Sequence, residues 1–335
     1  MDLDYLLFLQ GVREVMPAII TQLLVVVSAI IASPALIILP CIFYWCVDKR
    51  AGQFVVFSLA ISGLVNQLVK NVVCCYRPWI RSAAIHPHAE AVGEATGYSF
   101  PSGHTQTAGA IVGSIGYYFR KSHRWAFILC WVLVALVAFS RNYLGVHTPQ
   151  DVLVALVESV LVILLVEPFM SWAEGREGRD AIVVAAVLAI GVAFLVFVTL
   201  KPYPMDYDAS GALLVDPKAM QIDCYTTAGV FMGGFLGWFL ERRFVGFSIE
   251  SGTGWKFFAR RLLIGIVITA AFHLIPNVLT SVGVGPEWLK FVKFFATVIA
   301  ATFVAPAAFV AVERRWKARL RYDAHSRQTK GAMPK

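Results

Sequence analysis

Lys70 and Arg77 stand seven positions apart, and Pro78 follows at once. On a helix that spacing sets two cations near one face, about two turns apart, before proline stops the helix and a loop begins. Snorkelling of interfacial cations toward headgroups would explain the same pair without chemistry. A second stretch, Tyr98-Ser-Phe-Pro101-Ser102-Gly103-His104-Thr105, opens directly onto an apolar run. Pro, Ser and Gly at a helix entrance present unpaired backbone N–H groups with the positive end of the helix dipole behind them, which suits an anion. His104 at that point can give a proton to a departing oxygen or pair with the anion. A simple helix start with an interfacial histidine is the plainer alternative. The third stretch runs from Ser140-Arg141 to His147-Thr148-Pro149-Gln150-Asp151. Thr148 reads as an N-cap, Pro149 as the first helical residue and Asp151 as the third. Four residues separate His147 from Asp151, so the carboxylate can hold one imidazole nitrogen and leave the other free as a nucleophile. Asp151 can also complete a capping box, and the two roles are compatible.

These pieces together describe one kind of chemistry. Lys70, Arg77, Arg141 and helix N–H groups would surround a tetrahedral or trigonal-bipyramidal anion, while one histidine attacks and the other protonates. No cluster of carboxylates stands ready to hold the Mg²⁺ that many phosphoryl-transfer sites use. Charge neutralisation is then expected from cations and backbone dipoles, with no metal and no cofactor.

The elements that must position these residues are set by the solvent. The chain has 335 residues, 58% hydrophobic and 15% charged, with a mean hydropathy of +0.69. Soluble chains are about a quarter charged, so the bilayer must be the solvent for much of this one. Disordered, coiled-coil, collagen-like and disulfide-scaffold classes fail on the same composition. A span needs ~20 apolar residues, and nine runs qualify: 24–47, 52–72, 103–120, 125–142, 150–168, 180–199, 223–241, 259–280 and 289–312. Residues 3–16 read as an amphipathic helix lying on the membrane. The six cysteines lack metal-ligand spacing. They read as small buried hydrophobes, with a bond from Cys74 or Cys75 to Cys224 as the lesser alternative. The start, Met1-Asp-Leu-Asp-Tyr, lacks the basic region of a cleavable signal.

The net charge of +8 is distributed by side and does not suggest nucleic acid. Lys49 and Arg50, then Arg120, Lys121 and Arg124, then Arg176 and Arg179, then Arg242, Arg243, Lys256, Arg260 and Arg261, and the tail from Arg314 onward, follow alternate runs. The opposite side carries Asp206, Asp208, Asp216 and Asp223. The positive-inside rule places the N-terminus outside and the C-terminus in the cytoplasm, which an odd number of spans requires. Lys70, Arg77 and Arg141 are then outer-face cations, and all three stretches fall on one non-cytoplasmic face.

Lys-x₆-Arg-Pro, Pro-Ser-Gly-His and Ser-Arg-x₅-His-x₃-Asp, in this order and without substitution, resemble the three-part signature of the type 2 phosphatidic acid phosphatase (PAP2) superfamily. That superfamily includes lipid phosphate phosphatases, undecaprenyl-diphosphate phosphatases, glucose-6-phosphatase and the soluble vanadium haloperoxidases. The resemblance covers about residues 45–200. It implies an all-α polytopic bundle with a six-helix core, here followed by about three further transmembrane helices. It also implies a phosphatase in which His147 attacks phosphorus to form a phosphohistidine, Asp151 orients it, and His104 protonates the leaving alkoxide. Lys70, Arg77, Ser102, Gly103 and Arg141 would hold the phosphate. The expected partners are a lipid phosphate or diphosphate and the membrane lipids around it.

The expected division is a core over 1–200, an outer loop with additional helices over 201–312, and a basic cytoplasmic tail over 313–335. His86-Pro87-His88, with Glu90 and Glu94, reads as a solvated loop near the site mouth in preference to a metal site. Residues 201–223 form either a lid or an ordinary connection. His273 reads as a neutral histidine bonded to a neighbouring helix, and Gly233, Gly234 and Gly237 as a close helix contact. A lipid phosphotransferase, a sugar phosphatase or a transporter of phosphorylated lipids are the competing functions. A pure binder, however, has no use for two histidines and an orienting carboxylate.

Overall fold

The computed structural model describes residues 2–33, 35–251, 254–274 and 283–315. Among the described residues every long regular element is helical, as lipid demands of a chain that must satisfy its own backbone polar groups. The helices are α1 (Asp2–Val15), α2 (Ala18–Ala32), α3 (Ala35–Ile42), α4 (Lys49–Val73), α5 (Pro78–Arg81), α6 (Ala89–Val92) and α7 (Gly103–Ala108). There follow α8 (Ser114–Tyr118), α9 (Arg124–Tyr143), α10 (Pro149–Glu174), α11 (Arg179–Leu200), α12 (Pro217–Phe244), α13 (Trp255–Leu274) and α14 (Pro286–Ile299).

Six helical stretches are long and apolar enough to cross a membrane: Lys49–Arg81, Arg124–Tyr143, Pro149–Glu174, Arg179–Leu200, Trp255–Leu274 and Pro286–Arg315. Three of the nine apolar runs take other forms. The run 24–47 is broken at Ser33, whose extended backbone ends α2 before α3 begins. The run 103–120 is α7, a π-helical turn over Gly109–Gly113, and α8. The run 223–241 lies in α12, a 28-residue helix with Asp223 near one end and Glu241, Arg242 and Arg243 at the other. The end of the run 259–280 and the tail beyond Arg315 lie outside the described residues.

α4 is the central helix of the core. Phe57 stacks on Phe235 of α12 at 4.2 Å between ring centroids and meets Trp238 edge-on at 5.4 Å. Facing α10, a Cβ at Gly109 would stand 2.5 Å from the Ser159 side chain, so the π-helical turn can lie flush against its neighbour only as glycine. Beyond the core, α12 and α14 run in the same direction and nearly touch. A Cβ at Gly229 would fall 2.6 Å from the Phe291 carbonyl oxygen, and one at Gly233 2.8 Å from that of Phe295. Gly237 meets Thr302 in the same way, whereas Gly234 turns to Val56 of α4 at 3.4 Å. The expected close contact is therefore present, with Gly229 as a further member.

The end of the bundle away from the three motifs is tied by charge. Lys49 bridges Glu241 at 2.8 Å, Arg50 bridges Glu174 at 2.9 Å, and Arg261 bridges Glu313 at 2.7 Å. Glu241 and the Arg261–Glu313 pair are buried. Removing one partner of such a pair typically costs 3–5 kcal/mol, or roughly that, because the other charge is stranded.

Candidate active site

Each of the three motifs occupies the end of a helix, and the topology gathers those ends. α4 delivers Lys70 in its last turn and stops at Cys74, whose left-handed backbone (φ 52°) closes the helix with Cys74 N donating to the Lys70 carbonyl at 3.0 Å. Arg77 then serves as N-cap of α5, with Pro78 at its first position. This corrects the expectation of two cations on one continuous helical face. Pro78 opens a short helix instead of ending a long one, and the intervening turn is what brings Arg77 back toward the site.

Arg77 is 3% exposed, and four of its five guanidinium N–H groups have partners. Nε donates to the Gly97 carbonyl at 3.0 Å and Nη2 to the Thr96 carbonyl at 2.7 Å. Nη1 donates to the Val146 carbonyl at 3.1 Å and to His147 Nε2 at 2.9 Å. A guanidinium only donates, so Nε2 of His147 must be the nitrogen with the lone pair. The ring proton therefore sits on Nδ1, which faces Asp151 Oδ2 at 3.3 Å and Ser99 Oγ at 3.4 Å. That is the tautomer a nucleophile needs.

Asp151 performs both of the roles read from its spacing. Its Oδ2 accepts from Thr148 N at 2.8 Å while Thr148 Oγ1 accepts from Asp151 N at 3.4 Å, a complete capping box. The same oxygen faces the imidazole and accepts from Ser99 Oγ at 2.5 Å. Burial pushes the His147 imidazole well below its ordinary range, and the Arg77 charge adds to this against the opposing pull of Asp151. That direction agrees with the unprotonated Nε2 that the Arg77 contact requires.

Ser102 is the N-cap of α7, its Oγ accepting from Thr105 Oγ1 at 3.0 Å, and its N–H is donated to the Asp151 carbonyl at 3.0 Å. Gly103 follows in open space, with nothing nearer to a Cβ there than Asn66 Oδ1 at 4.0 Å. The two helix starts that carry His104 and Asp151 are thus locked together by backbone. Lys70 is 6% exposed and interacts electrostatically with Arg77, Asp223 and Asp151. Arg141 is wholly buried. It donates through Nη1 to Ser28 Oγ of α2, while its Nε and Nη2 have no hydrogen-bond partner. All eight expected residues lie at the same end of the bundle. Among the described residues no three His, Cys, Asp or Glu side chains gather as metal ligands.

Sequence reasoning missed several members. Ser99 lies within the second motif, but nothing in its spacing marks it as Asp151's partner. Ser28 reaches Arg141 across 113 positions. Glu94, assigned to a solvated loop, instead approaches His104 Nε2 at 3.2 Å and Arg141 Nη1 at 3.8 Å. The rest of that loop is largely exposed, as expected, although its backbone is anchored. His88 N donates to the Leu144 carbonyl at 2.9 Å, His86 N donates to Gln10 Oε1 at 2.8 Å, and Arg13 holds the His86 and Tyr143 carbonyls. Through Gln10 and Arg13, α1 also holds the site loops, while Leu7, Phe8 and Val15 stay exposed. Residues 201–216 are mostly exposed but are tied to the core at two points: Tyr76 donates to Asp206 at 2.6 Å and Tyr203 to Asn71 Oδ1 at 3.0 Å. His273 meets Thr297 Oγ1 at 3.1 Å, the interhelical bond expected of it. None of the six cysteines is in a disulfide.

Residues 52–174 match the family model described as the PAP2 superfamily, and residues 225–317 match the model of the PAP2 superfamily phosphatase transmembrane extension. The chain is 31% identical over 106 residues to a lipid A 1-phosphatase of Rhizobium johnstonii, an alignment covering 31% of this chain and 42% of the relative. It is 28% identical over 125 residues to phosphatidylglycerophosphatase B of Bacillus subtilis, covering 35% and 57%. With an undecaprenyl-diphosphatase of Sulfolobus acidocaldarius it shares 32% over 107 residues, covering 31% and 48%. The chain thus spans about half the length of these relatives. A crystal structure of a transmembrane PAP2-type phosphatidylglycerolphosphate phosphatase from Bacillus subtilis superposes with a TM-score of 0.41 at 22% identity, covering 51% of this chain and 86% of the other. The apolar helices and the matched extension make this an integral membrane protein. The chain belongs to the PAP2 superfamily, with the transmembrane extension of that superfamily's phosphatases following its core.

Proposed function

We propose that the protein hydrolyses a lipid phosphate or diphosphate at the non-cytoplasmic membrane surface through a phosphohistidine, without a metal. The observation that carries this reading is the hydrogen-bonded run Arg77–His147–Asp151–Ser99, which leaves a neutral imidazole with its lone pair on Nε2. In the first step the Arg77 Nη1 hydrogen bond to Nε2 gives way, the freed lone pair attacks phosphorus, and His104 protonates the leaving oxygen. In the second, water attacks the phosphohistidine and the P–N electron pair returns to His147. Lys70, Arg141 and the amides at the start of α7 neutralise the charge that builds on the equatorial oxygens. Arg77, four of whose five donors go to carbonyls and to His147, keeps one Nη2 N–H for phosphate and otherwise holds the loops. The relatives' named substrates are all lipid-borne phosphates, which supports a substrate presented at headgroup level.

The test is phosphate release by purified, detergent-solubilised protein from phosphatidic acid, phosphatidylglycerophosphate and undecaprenyl diphosphate in EDTA. Release is expected to resist EDTA, to be blocked by orthovanadate, and to fall at least about 10³-fold in His147→Ala. Full turnover in that variant would sink the reading. Transfer of phosphate to an added lipid acceptor, with little free phosphate, would make the enzyme a phosphotransferase.

A further inference from the structure

His147 has its carboxylate four residues on, but the residue four beyond His104 is Ala108, so α7 supplies no equivalent. His104 nonetheless sits among Lys70, Arg77 and Arg141, all buried. Burial first, and then the charges of Arg141, Arg77 and Lys70, disfavour an imidazolium there, yet an acid must carry a proton to give one away. One carboxylate answers this need. Glu94 Oε2 lies 3.2 Å from His104 Nε2, and the same oxygen is 3.8 Å from Arg141 Nη1. The segment that carries it is held firmly. Ala91 and Ala95 are buried against Tyr143, Leu144 and Val146, and Ala95 N donates to the Val92 carbonyl at 3.0 Å. Two residues further on, the Thr96 and Gly97 carbonyls are gripped by Arg77.

We propose that Glu94 is a positioning residue for His104, the carboxylate that keeps a proton on that imidazole until the leaving oxygen takes it. This rests on the phosphatase reading above. As the bond from His147 Nε2 to phosphorus forms and the bond from phosphorus to the leaving oxygen breaks, the His104 imidazolium gives that oxygen one proton. The alcohol departs uncharged and His104 becomes neutral beside Glu94. When water attacks phosphorus, His104 takes one of its protons, the P–N pair returns to His147, and inorganic phosphate leaves. Glu94 stabilises the charged ring before the first step and after the second. The site thus contains two histidine–carboxylate pairs: one with its carboxylate at helical spacing, the other with it on the preceding loop.

A leaving-group comparison tests this. An alkyl phosphate needs its departing oxygen protonated, whereas p-nitrophenyl phosphate expels a stable phenolate unaided. Glu94→Gln is expected to lower kcat/KM, which reports only the steps up to departure of the leaving group, about 10- to 100-fold on the alkyl phosphate and less than about threefold on p-nitrophenyl phosphate. Retained p-nitrophenyl phosphate turnover also shows that the variant folds. His104→Ala is expected to show the same selectivity, and the double variant to be no worse than His104→Ala alone. Glu94→Asp should recover part of the loss. Equal losses on both substrates would overturn the proposal, as would a Glu94→Gln variant that simply binds orthovanadate more tightly with no leaving-group selectivity, because Glu94 would then only fill the anion seat of Arg141. His147→Ala active on both substrates would defeat the phosphatase reading itself, a result distinct from either.

Discussion

At the scale of single residues, the neutrality of His147 has a thermodynamic consequence separate from catalysis. Burial and Arg77 hold its folded-state pKa well below the ordinary value of about 6.5, so the unfolded chain is the better proton acceptor. Stability contributed by this site is present at neutral and alkaline pH and is lost as pH falls through about 6.5, where the unfolded state takes up a proton that the folded ring refuses. His147→Gln lacks the group. The melting temperature of the wild type relative to this variant is therefore expected to decline from about pH 8 to about pH 5, as followed by thermal unfolding in detergent. A difference that stays level or grows on acidification would contradict the assignment. His147, Thr148 and Asp151 were legible in the sequence because capping and i,i+4 contacts are local, and three residue types sufficed to place them. Ser99 and Ser28 were not. Each acts through a hydroxyl brought from another part of the chain, and nothing in a serine's neighbours announces a partner 52 or 113 positions away. Glu94 fell between these cases. It was noticed as a carboxylate near the site but assigned to water, because a loop's inward side has no periodicity to reveal it.

At the scale of elements, the contact between α12 and α14 is the sharpest constraint in the extension. Backbone meets backbone there, so neither helix can yield by turning a side chain. Gly229→Leu must force the two apart, and overpacking of this kind costs about 1–3 kcal/mol or more. Gly234→Ala adds its methyl group at ordinary contact distance from Val56 and should be nearly neutral. Monodisperse protein by size exclusion is expected to fall sharply for the first and little for the second, and the reverse order would refute the helix register described. The composition and small-residue spacing indicated such a contact but not its orientation, which depends on which glycines face which neighbour. The apolar runs similarly located helices well and their interruptions poorly. In the run 24–47 the break at Ser33 is foreshadowed by Pro34, which disfavours helical backbone in the residue before it, whereas the π-helical turn at Gly109–Gly113 in the run 103–120 depends on packing that hydropathy does not record.

At the scale of the whole molecule, the bundle has two unlike ends. One gathers the eight motif residues, and the other is bound by Lys49–Glu241, Arg50–Glu174 and Arg120–Glu167. If the cation-rich end is cytoplasmic, as the positive-inside rule requires, the site opens on the other side. In a chain whose native cysteines are replaced, Ser210→Cys on the exposed outer loop should react with an impermeant maleimide in intact cells. Lys121→Cys should react only after permeabilisation. The opposite pattern would turn the site toward the cytoplasm. The extension is part of this same body. Met220 of α12 packs against Gly97, with its Sδ 2.1 Å from where a Cβ would stand, and Gly97 supplies a carbonyl to Arg77.

Gly97 also bears on how a map of mutational tolerance would read. Its backbone lies in the left-handed region (φ 60°), which residues with side chains rarely adopt, and Met220 closes the space above it. Every substitution there strains the turn that supplies two of Arg77's acceptors. A saturation screen scored on growth would rank position 97 beside His147 and Arg141, although it has no atom to offer a substrate. Shortening Met220 in the same chain would separate the two kinds of intolerance, since extra room removes the clash at position 97, though not its backbone strain, and cannot replace a missing nucleophile.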